Sequence, residues 1–372
     1  MSVVYQTLLL VLFLSACGTG KKKFTEQVPE DLVETFDIKE NKFDKFKIES
    51  IPKPKPKKVA TKKPKKKINK SLKLKKKEEV KVSPVKKIEI VEASKKVEFE
   101  KPDDYPKNFT SFDLKSKEIW KKFKPIGFPG EEFEFEISYF GLTPGFVKIT
   151  TGALVKIADQ RAYHFKAHLL SSSRYSVIYE LDDVLESYVS VKDFQPIKYS
   201  LVQRESGQSV DDLQLFDPEK RKTFYWYKRL KKGKIKKDKK EVYTPGFFQD
   251  LFSVIFFVRG LPLKTHDTYE FPIMTRGKTW MVKMKVARRE TIEVLDKDER
   301  AIRVETEARS ITEPHKKKSY ISFWYSDDSS RRLLELEAKI KLGSISGTLS
   351  SYKAGRPYRY TEEDSGLEDG TE

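Results

Sequence analysis

Residues 132–139 read EFEFEISY. Phe133, Phe135, Ile137 and Tyr139 alternate with Glu132, Glu134, Glu136 and Ser138, the two-residue period of a strand that turns one face to a core and the other to water. The same period recurs at Tyr163/Phe165/Ala167/Leu169, Ile197/Tyr199/Leu201, Trp280/Val282/Met284/Val286 and Leu334/Leu336/Ala338/Ile340/Leu342. Pro144-Gly145, Asp217-Pro218 and Asp327-Asp328 punctuate the runs as turn residues do. Roughly ten to twelve such strands are too many for a flat open sheet to protect its edges. The expected fold is therefore mainly β, a strongly curved antiparallel sheet or barrel-like domain over residues 126–356.

One segment breaks the period. Residues 244–260 read TPGFFQDLFSVIFFVRG, with Thr244 suited to an N-cap, Pro245 to the first helical position and Gly260 to the residue after the end. Arg259 stands where a cation suits the helix dipole. The expected helix has about 15 residues, and at about 100° per residue Gln249, Asp250 and Ser253 form a narrow polar strip on it. Phenylalanine and aliphatic side chains cover the rest, so the helix belongs inside the curved sheet. Any sheet interior it leaves uncovered is an apolar cavity open to a hydrophobic ligand; a helix that fills the sheet leaves none.

The 372 residues are 38% hydrophobic and 35% charged, which excludes a collagen, a coiled coil and a multispan membrane protein. Cys17 is the only cysteine, so neither an internal disulfide framework nor a cysteine-rich zinc site is available. The net charge of +19 is unevenly placed: residues 53–77 hold 14 lysines and no acid, and residues 228–240 hold nine Lys/Arg and one Asp, which leaves everything else at −3. The globular part is thus nearly neutral.

Residues 3–16, VVYQTLLLVLFLSA, are apolar but shorter than the ~20 residues of a spanning helix, and read as a secretion signal over residues 1–16. Leu14-Ser15-Ala16-Cys17 resembles the bacterial lipobox, in which the cysteine thiol receives fatty acyl chains and becomes the new amino terminus. The resemblance implies a membrane anchor at Cys17, and Gly18 in place of an aspartate implies the outer membrane; a periplasm-facing domain is the expectation, with the other face left open. Residues 17–108, with KPKPKK and TKKPKKK, read as a disordered Lys/Pro tether that cannot bury enough apolar surface to fold. Its lysines, among them Lys53, Lys55, Lys57, Lys58, Lys65, Lys66 and Lys67, are candidates for an anionic envelope polymer or headgroups, or form a solvated spacer. Residues 52–96 contain no aromatic residue for base stacking, which argues against nucleic acid. Residues 24–51, with Phe36, Phe43, Phe46 and Ile48, read as a transient helix or a docking segment. Residues 357–372 read as a disordered acidic tail.

Phe128-Pro129-Gly130-Glu131 leading into Phe133-x-Phe135-x-Ile137, then Gly141, Pro144-Gly145, the segment with Asp250, Ser253 and Arg259, and Trp324-Tyr325-Ser326-Asp327 with Arg331-Arg332 resemble the bacterial envelope family called domain of unknown function 3108. The likeness spans residues 126–352. It implies an exported, mostly β protein without an established activity, and makes Asp250, Ser253, Arg259 and Asp327 candidates for a buried polar network. Such a network serves structure first, because a buried arginine needs carboxylate partners to be tolerated.

No catalytic constellation emerges. His164 and His168 stand four apart on a strand, ~13 Å and too far to share a metal, and His266 and His315 are isolated in loop-like sequence. Gly343-Ser344-Ile345-Ser346-Gly347 has isoleucine where a nucleophile elbow has serine, and Gly18-Thr19-Gly20-Lys21 lacks the first glycine of a phosphate loop. Asp182/Asp183 and Asp327/Asp328 lie in turn-like contexts that suit solvated acids. The run 228–240, centred near Gly233, reads as a long hairpin tip whose Lys231, Lys232, Lys234, Lys236 and Lys237 meet an anionic surface or only solvent. The expectation is a lipid-anchored envelope protein, not an enzyme and without cofactor or metal. Its β domain binds a hydrophobic or amphiphilic ligand or a partner protein at the mouth between sheet and helix. The alternative is a structural tether from outer membrane to cell wall through the lysines, with the domain as a docking module.

Overall fold

The computed structural model describes residue 24 and residues 32–51 and 101–360. Cys17, the tether lysines Lys53, Lys55, Lys57, Lys58, Lys65, Lys66 and Lys67, and the tail beyond residue 360 lie outside the described residues. Among the described residues seventeen strands form one sheet, more than the alternation alone suggests. They are β1 (Glu49–Ser50), β2 (Glu132–Tyr139), β3 (Leu142–Thr151), β4 (Val155–Ile157), β5 (Gln160–Ser171), β6 (Leu181–Ser190), β7 (Pro196–Glu205), β8 (Gln208–Asp217) and β9 (Lys222–Lys231). They continue with β10 (Lys234–Tyr243), β11 (Gln249–Asp250), β12 (Thr268–Thr275), β13 (Lys278–Val294), β14 (Lys297–Ser310), β15 (Ser319–Ser326), β16 (Leu333–Lys339) and β17 (Ser344–Lys353).

Pairing runs from β11 through β12 to β17, then to β2, β3 and β5, and on through β6 to β10. β4 pairs with β5 beyond the end of β3, and β1 pairs with β4. Every pair is antiparallel except β11 with β12. The sheet curls until distant strands meet: Arg276, in the turn after β12, donates through Nε to Asp212 Oδ2 of β8 at 2.6 Å, and Asp250 of β11 accepts from Ser187 Oγ of β6.

Inward-facing residues of these strands, such as Phe135, Phe165, Tyr199, Phe271, Trp280 and Tyr325, are almost wholly buried. Into them drops a helix, Ser253–Arg259, shorter than the 15 residues read from the sequence. Thr244 does not cap it. Gln249 and Asp250 instead leave the helix to pair with Ile273 and Met274, and Asp250 Oδ1 then takes the N–H groups of Phe252 and Ser253, both at 2.7 Å. The cap that forms lies six residues later than Thr244 because a buried carboxylate satisfies two orphan donors, which a threonine hydroxyl cannot do as well. Gly260 ends the helix at φ −86°, so its role is space: a Cβ there would run into the Phe123 ring and stand 2.7 Å from Lys124 O.

The domain is larger than residues 126–356. A second helix, Lys107–Lys122, has Phe109, Phe112, Ile119 and Trp120 at helical spacing, with Phe123 one residue beyond its end. Its Asp113 pairs with Arg221 at 2.6 Å and accepts from Gly246 N–H, while Trp120 Nε1 donates to Asp193 O. Residues 32–51 are not free tether. Phe43 packs edge-on against Phe224 and Trp226 with centroids 4.9 and 5.1 Å apart, and Leu32, Phe43 and Phe46 join a second buried cluster on the outer face of the sheet. At the other end of the domain, Tyr358 pairs with Gly127 and its carbonyl accepts from Tyr163 OH, so the chain stays on the domain to residue 360.

Candidate functional site

The interior beside the Ser253–Arg259 helix is filled with rings. Phe256 stacks on Phe165 with centroids 3.7 Å apart, and Phe257 is met by Trp120, Phe123 and Phe271 at 4.4, 4.4 and 5.3 Å. Aromatic pairs add roughly 0.5–1.5 kcal/mol each beyond their area burial, so this plug is a stability element. Phe252 is buried in the same cluster and meets Phe256 edge-on with centroids 5.5 Å apart.

The four residues of the expected network occupy three places. Asp250 and Ser253 come together at the helix start, where Ser253 Oγ accepts from Asp250 N–H at 3.0 Å; burial pushes the Asp250 carboxyl up, and the Ser187 hydroxyl pulls against it. Arg259 lies at the other end, roughly 9 Å away at 1.5 Å per residue. It is clamped by Glu131, with Nη1 to Oε2 at 2.6 Å and Nη2 to Oε1 at 2.9 Å, and donates also to Ser330 O. Tyr352 OH donates to the same Glu131 Oε1. A bidentate, fully hydrogen-bonded pair meets the condition for keeping a guanidinium in a core. Asp327 sits outside this pair, in the loop between β15 and β16, and binds Arg289 at 3.1 Å and Arg300 at 3.6 Å.

Arg259 and Asp327 nevertheless line one cleft of about 510 Å³ at the mouth of the curled sheet. Its walls combine the last residue of the second helix and the segment after it (Lys122, Lys124, Ile126), the turn Gly260-Leu261-Pro262, the loop 327–331 and Arg359. Asp328 builds that loop: Oδ1 accepts from Ser326 Oγ, Ser330 N and Oγ, and Arg331 N. Burial works to raise Asp328, but the Ser330 and Ser326 hydrogen bonds outweigh it and hold the carboxyl at about 2, so it is anionic at neutral pH. Arg331 follows at φ +49°, with Nη1 buried and without a hydrogen-bond partner among the described residues. Burial pushes its pKa down, with Asp327 opposing. Lys122, Lys124 and Arg359 also make no ion pair with a described residue. The cleft sets Lys122, Lys124, Arg331 and Arg359, none of them in an ion pair with a described residue, and the carboxylates of Asp327 and Asp328 around the apolar Ile126, Leu261 and Pro262.

A second space, about 840 Å³, lies between residues 32–48 and the outer face of β5 to β7, bounded by Phe46 and Ile48 on one side and His164, Tyr188 and Ser200 on the other. His164 binds Glu186 at 2.9 Å and His168 binds Asp182 at 2.7 Å, each histidine on its own carboxylate. Asp182 and Asp183 are not turn residues: both lie in β6, because the connection from β5 is spent on residues 172–180. Asp183 faces inward, accepts from Gln203 Nε2 and Arg204 N, and is pushed by burial, against the Gln203 amide and with Glu205 adding, up to about 7. Lys231, Lys232, Lys234, Lys236 and Lys237 stand at the β9–β10 tip, where Lys232 and Gly233 take positive φ of 49° and 71°, the two-residue turn a tight hairpin requires. Among the described residues no group of three or more His, Cys, Asp and Glu is placed to hold a metal, and no helix is long and apolar enough to cross a membrane.

Reading the residues alone missed Lys122, Lys124, Arg331 and Arg359 as a set, and missed Glu131 as the partner of Arg259. Glu131 had a signal, since an arginine on an apolar helix demands a carboxylate; the cations had none, because three separate segments contribute them.

A strongly curved, internally plugged β domain with a charged mouth is the class the geometry defines. The chain belongs to the family described as protein of unknown function DUF3108, whose model matches residues 134–350. No curated protein matches it. Among solved structures, the β-barrel-like protein of domain of unknown function DUF1849 from Brucella abortus is 10% identical at TM-score 0.41, covering 61% of this chain and 98% of that one. The hypothetical lipoprotein YmcC from Escherichia coli is 9% identical at TM-score 0.25, covering 61% of this chain and 88% of that one.

Proposed function

We propose that the chain is a lipid-anchored envelope protein whose β domain holds an anionic amphiphile by its headgroup at the mouth of the sheet. The observation that carries this reading is the set of cations without ion pairs, Lys122, Lys124, Arg331 and Arg359, around the 510 Å³ cleft. A phosphate or carboxylate oxygen placed among these four groups draws charge-assisted hydrogen bonds from the ammonium and guanidinium groups that line the cleft. Ile126, Leu261 and Pro262 give the first carbons of a tail an apolar wall. The lipobox Leu14-Ser15-Ala16-Cys17 supports the anchor, and acyl chains at about 0.8 kcal/mol per buried methylene would hold it on a bilayer.

The test is titration calorimetry of the purified chain with dodecyl phosphate, dodecanol and inorganic phosphate. The reading expects dodecyl phosphate to bind best, inorganic phosphate weakly and dodecanol not at all. Arg331→Gln or Lys124→Gln should weaken dodecyl phosphate by roughly tenfold, on the order of 1.5 kcal/mol for a charge-assisted hydrogen bond. Equal binding by the double variant would defeat it.

A further inference from the structure

The mouth occupies one end of the strands; the opposite end carries a different surface. Successive antiparallel strands place the turns 140–141, 172–180, 206–207, 232–233, 276–277, 311–318 and 340–343 together at that end. Seven of the ten large exposed apolar side chains among the described residues sit in or beside these turns: Phe140, Val177, Ile178, Leu230, Ile235, Tyr320 and Leu342, from 42% to 86% exposed. Five of these turns are joined in pairs or groups: Tyr139 OH donates to Leu342 O, Ser172 N–H to Pro144 O, and a 590 Å³ cleft joins Glu180, the 206–207 turn, Leu230 and Lys232.

The β9–β10 hairpin gives this rim its charge. Its register sets Lys231 opposite Lys234, Arg229 opposite Lys236 and Lys228 opposite Lys237, three like-charged pairs in direct cross-strand contact, an arrangement that is destabilising in isolation. None of the six cations has an ion-pair partner among the described residues. Leu230 lies opposite Ile235, so an exposed apolar pair shares one face with Lys228 and Lys237. Lys228 also lies opposite Asp211 of β8, which leaves the tip itself with the excess of cations, and aliphatic tips among them match the two layers of an anionic bilayer, headgroup charge above and hydrocarbon below. A glycan or an acidic polymer offers the charge without the apolar phase.

We infer that this rim, led by the β9–β10 tip, docks on an anionic phospholipid surface. The inference is independent of the mouth, which lies at the other end of the sheet. Because Cys17 is the only cysteine, the full chain carrying Cys17→Ala and Ile235→Cys accepts one environment-sensitive fluorophore at the tip. The same label at Leu295→Cys, in the turn between β13 and β14 at the opposite end, is the reference. With phosphatidylethanolamine vesicles containing phosphatidylglycerol, the tip label should shift to the blue and be quenched by brominated acyl chains, and the reference label should not. Lys236→Gln with Lys237→Gln should weaken vesicle partitioning roughly 30-fold, two cations at about 1 kcal/mol each. A silent tip label on a chain that still co-sediments would overturn the inference and assign the binding to the tether. An equal response to vesicles without phosphatidylglycerol, or to soluble heparin, would overturn it too.

Discussion

At the residue scale, buried charge decides what the core tolerates. Glu131 and Arg259 are both buried and meet bidentately; Glu131→Gln leaves the guanidinium uncompensated and should remove about 3–5 kcal/mol of stability, read as a fall in the urea midpoint. Asp183 gives the opposite sign. Its native value of about 7 stands above the ~3.9 of an unfolded aspartate, so the folded state binds the extra proton. Its stabilising contribution is complete below pH ~4 and declines as pH rises to about 7, beyond which it is lost. Asp183→Asn should therefore flatten the stability profile between those limits and raise the melting temperature at pH 8 relative to the parent. Thermal melts at pH 5 and pH 8 check both statements. Neither role is visible in the sequence around these residues. Glu131 and Arg259 are 128 positions apart, and Asp183 looks the same as its neighbour Asp182 until the pleat sends one side chain inward and the other out.

At the element scale, the plug and its seat carry the fold. Phe257 is fully buried among the rings of Trp120, Phe123 and Phe271, and Phe257→Ala should cost about 3–5 kcal/mol, measured by denaturant unfolding. Alternation made the strands legible: Glu132–Tyr139 and Gln160–Ser171 form where the two-residue period runs. The helix was legible in kind but not in length. Residues 245–252 have the apolar content of a helix, yet Gln249 and Asp250 gain more from a strand pairing with β12 and from capping the turn that follows. The Lys107–Lys122 helix carried a helical pattern in Phe109, Phe112, Ile119 and Trp120 that the neighbouring lysines obscured. For residues 32–51 no period exists to read; three aromatic and aliphatic side chains suffice to dock them on a sheet face that only the fold creates.

At the scale of the whole molecule, the curled sheet separates two surfaces. One end is closed by the Lys107–Lys122 helix and opens on the cationic cleft; the other presents apolar tips and the lysine hairpin. Composition located the positive charge in two runs, and the fold puts the second of them on a single hairpin whose edges oppose like charges. It could not reveal the cleft, because Lys124, Arg331 and Arg359 are brought together only by closure. If Cys17 is the anchor, Cys17→Ala should move the chain from the membrane pellet to the supernatant after a high-salt wash, when rim and tether attractions are screened, while the parent stays in the pellet. Immunoblotting of the two fractions decides it.

The central claim is that ligand is held at the mouth and not within the plugged interior. A crystal structure with 12-bromododecyl phosphate locates both ends of such a molecule, the phosphate by its density and the bromine by anomalous scattering. The account predicts phosphate oxygens within hydrogen-bond reach of Lys124 and the Arg331 guanidinium, with the bromine outside the sheet beyond Leu261 and Pro262. Bromine among Phe165, Phe256 and Phe257, with the phosphate remote from Arg331, would contradict it.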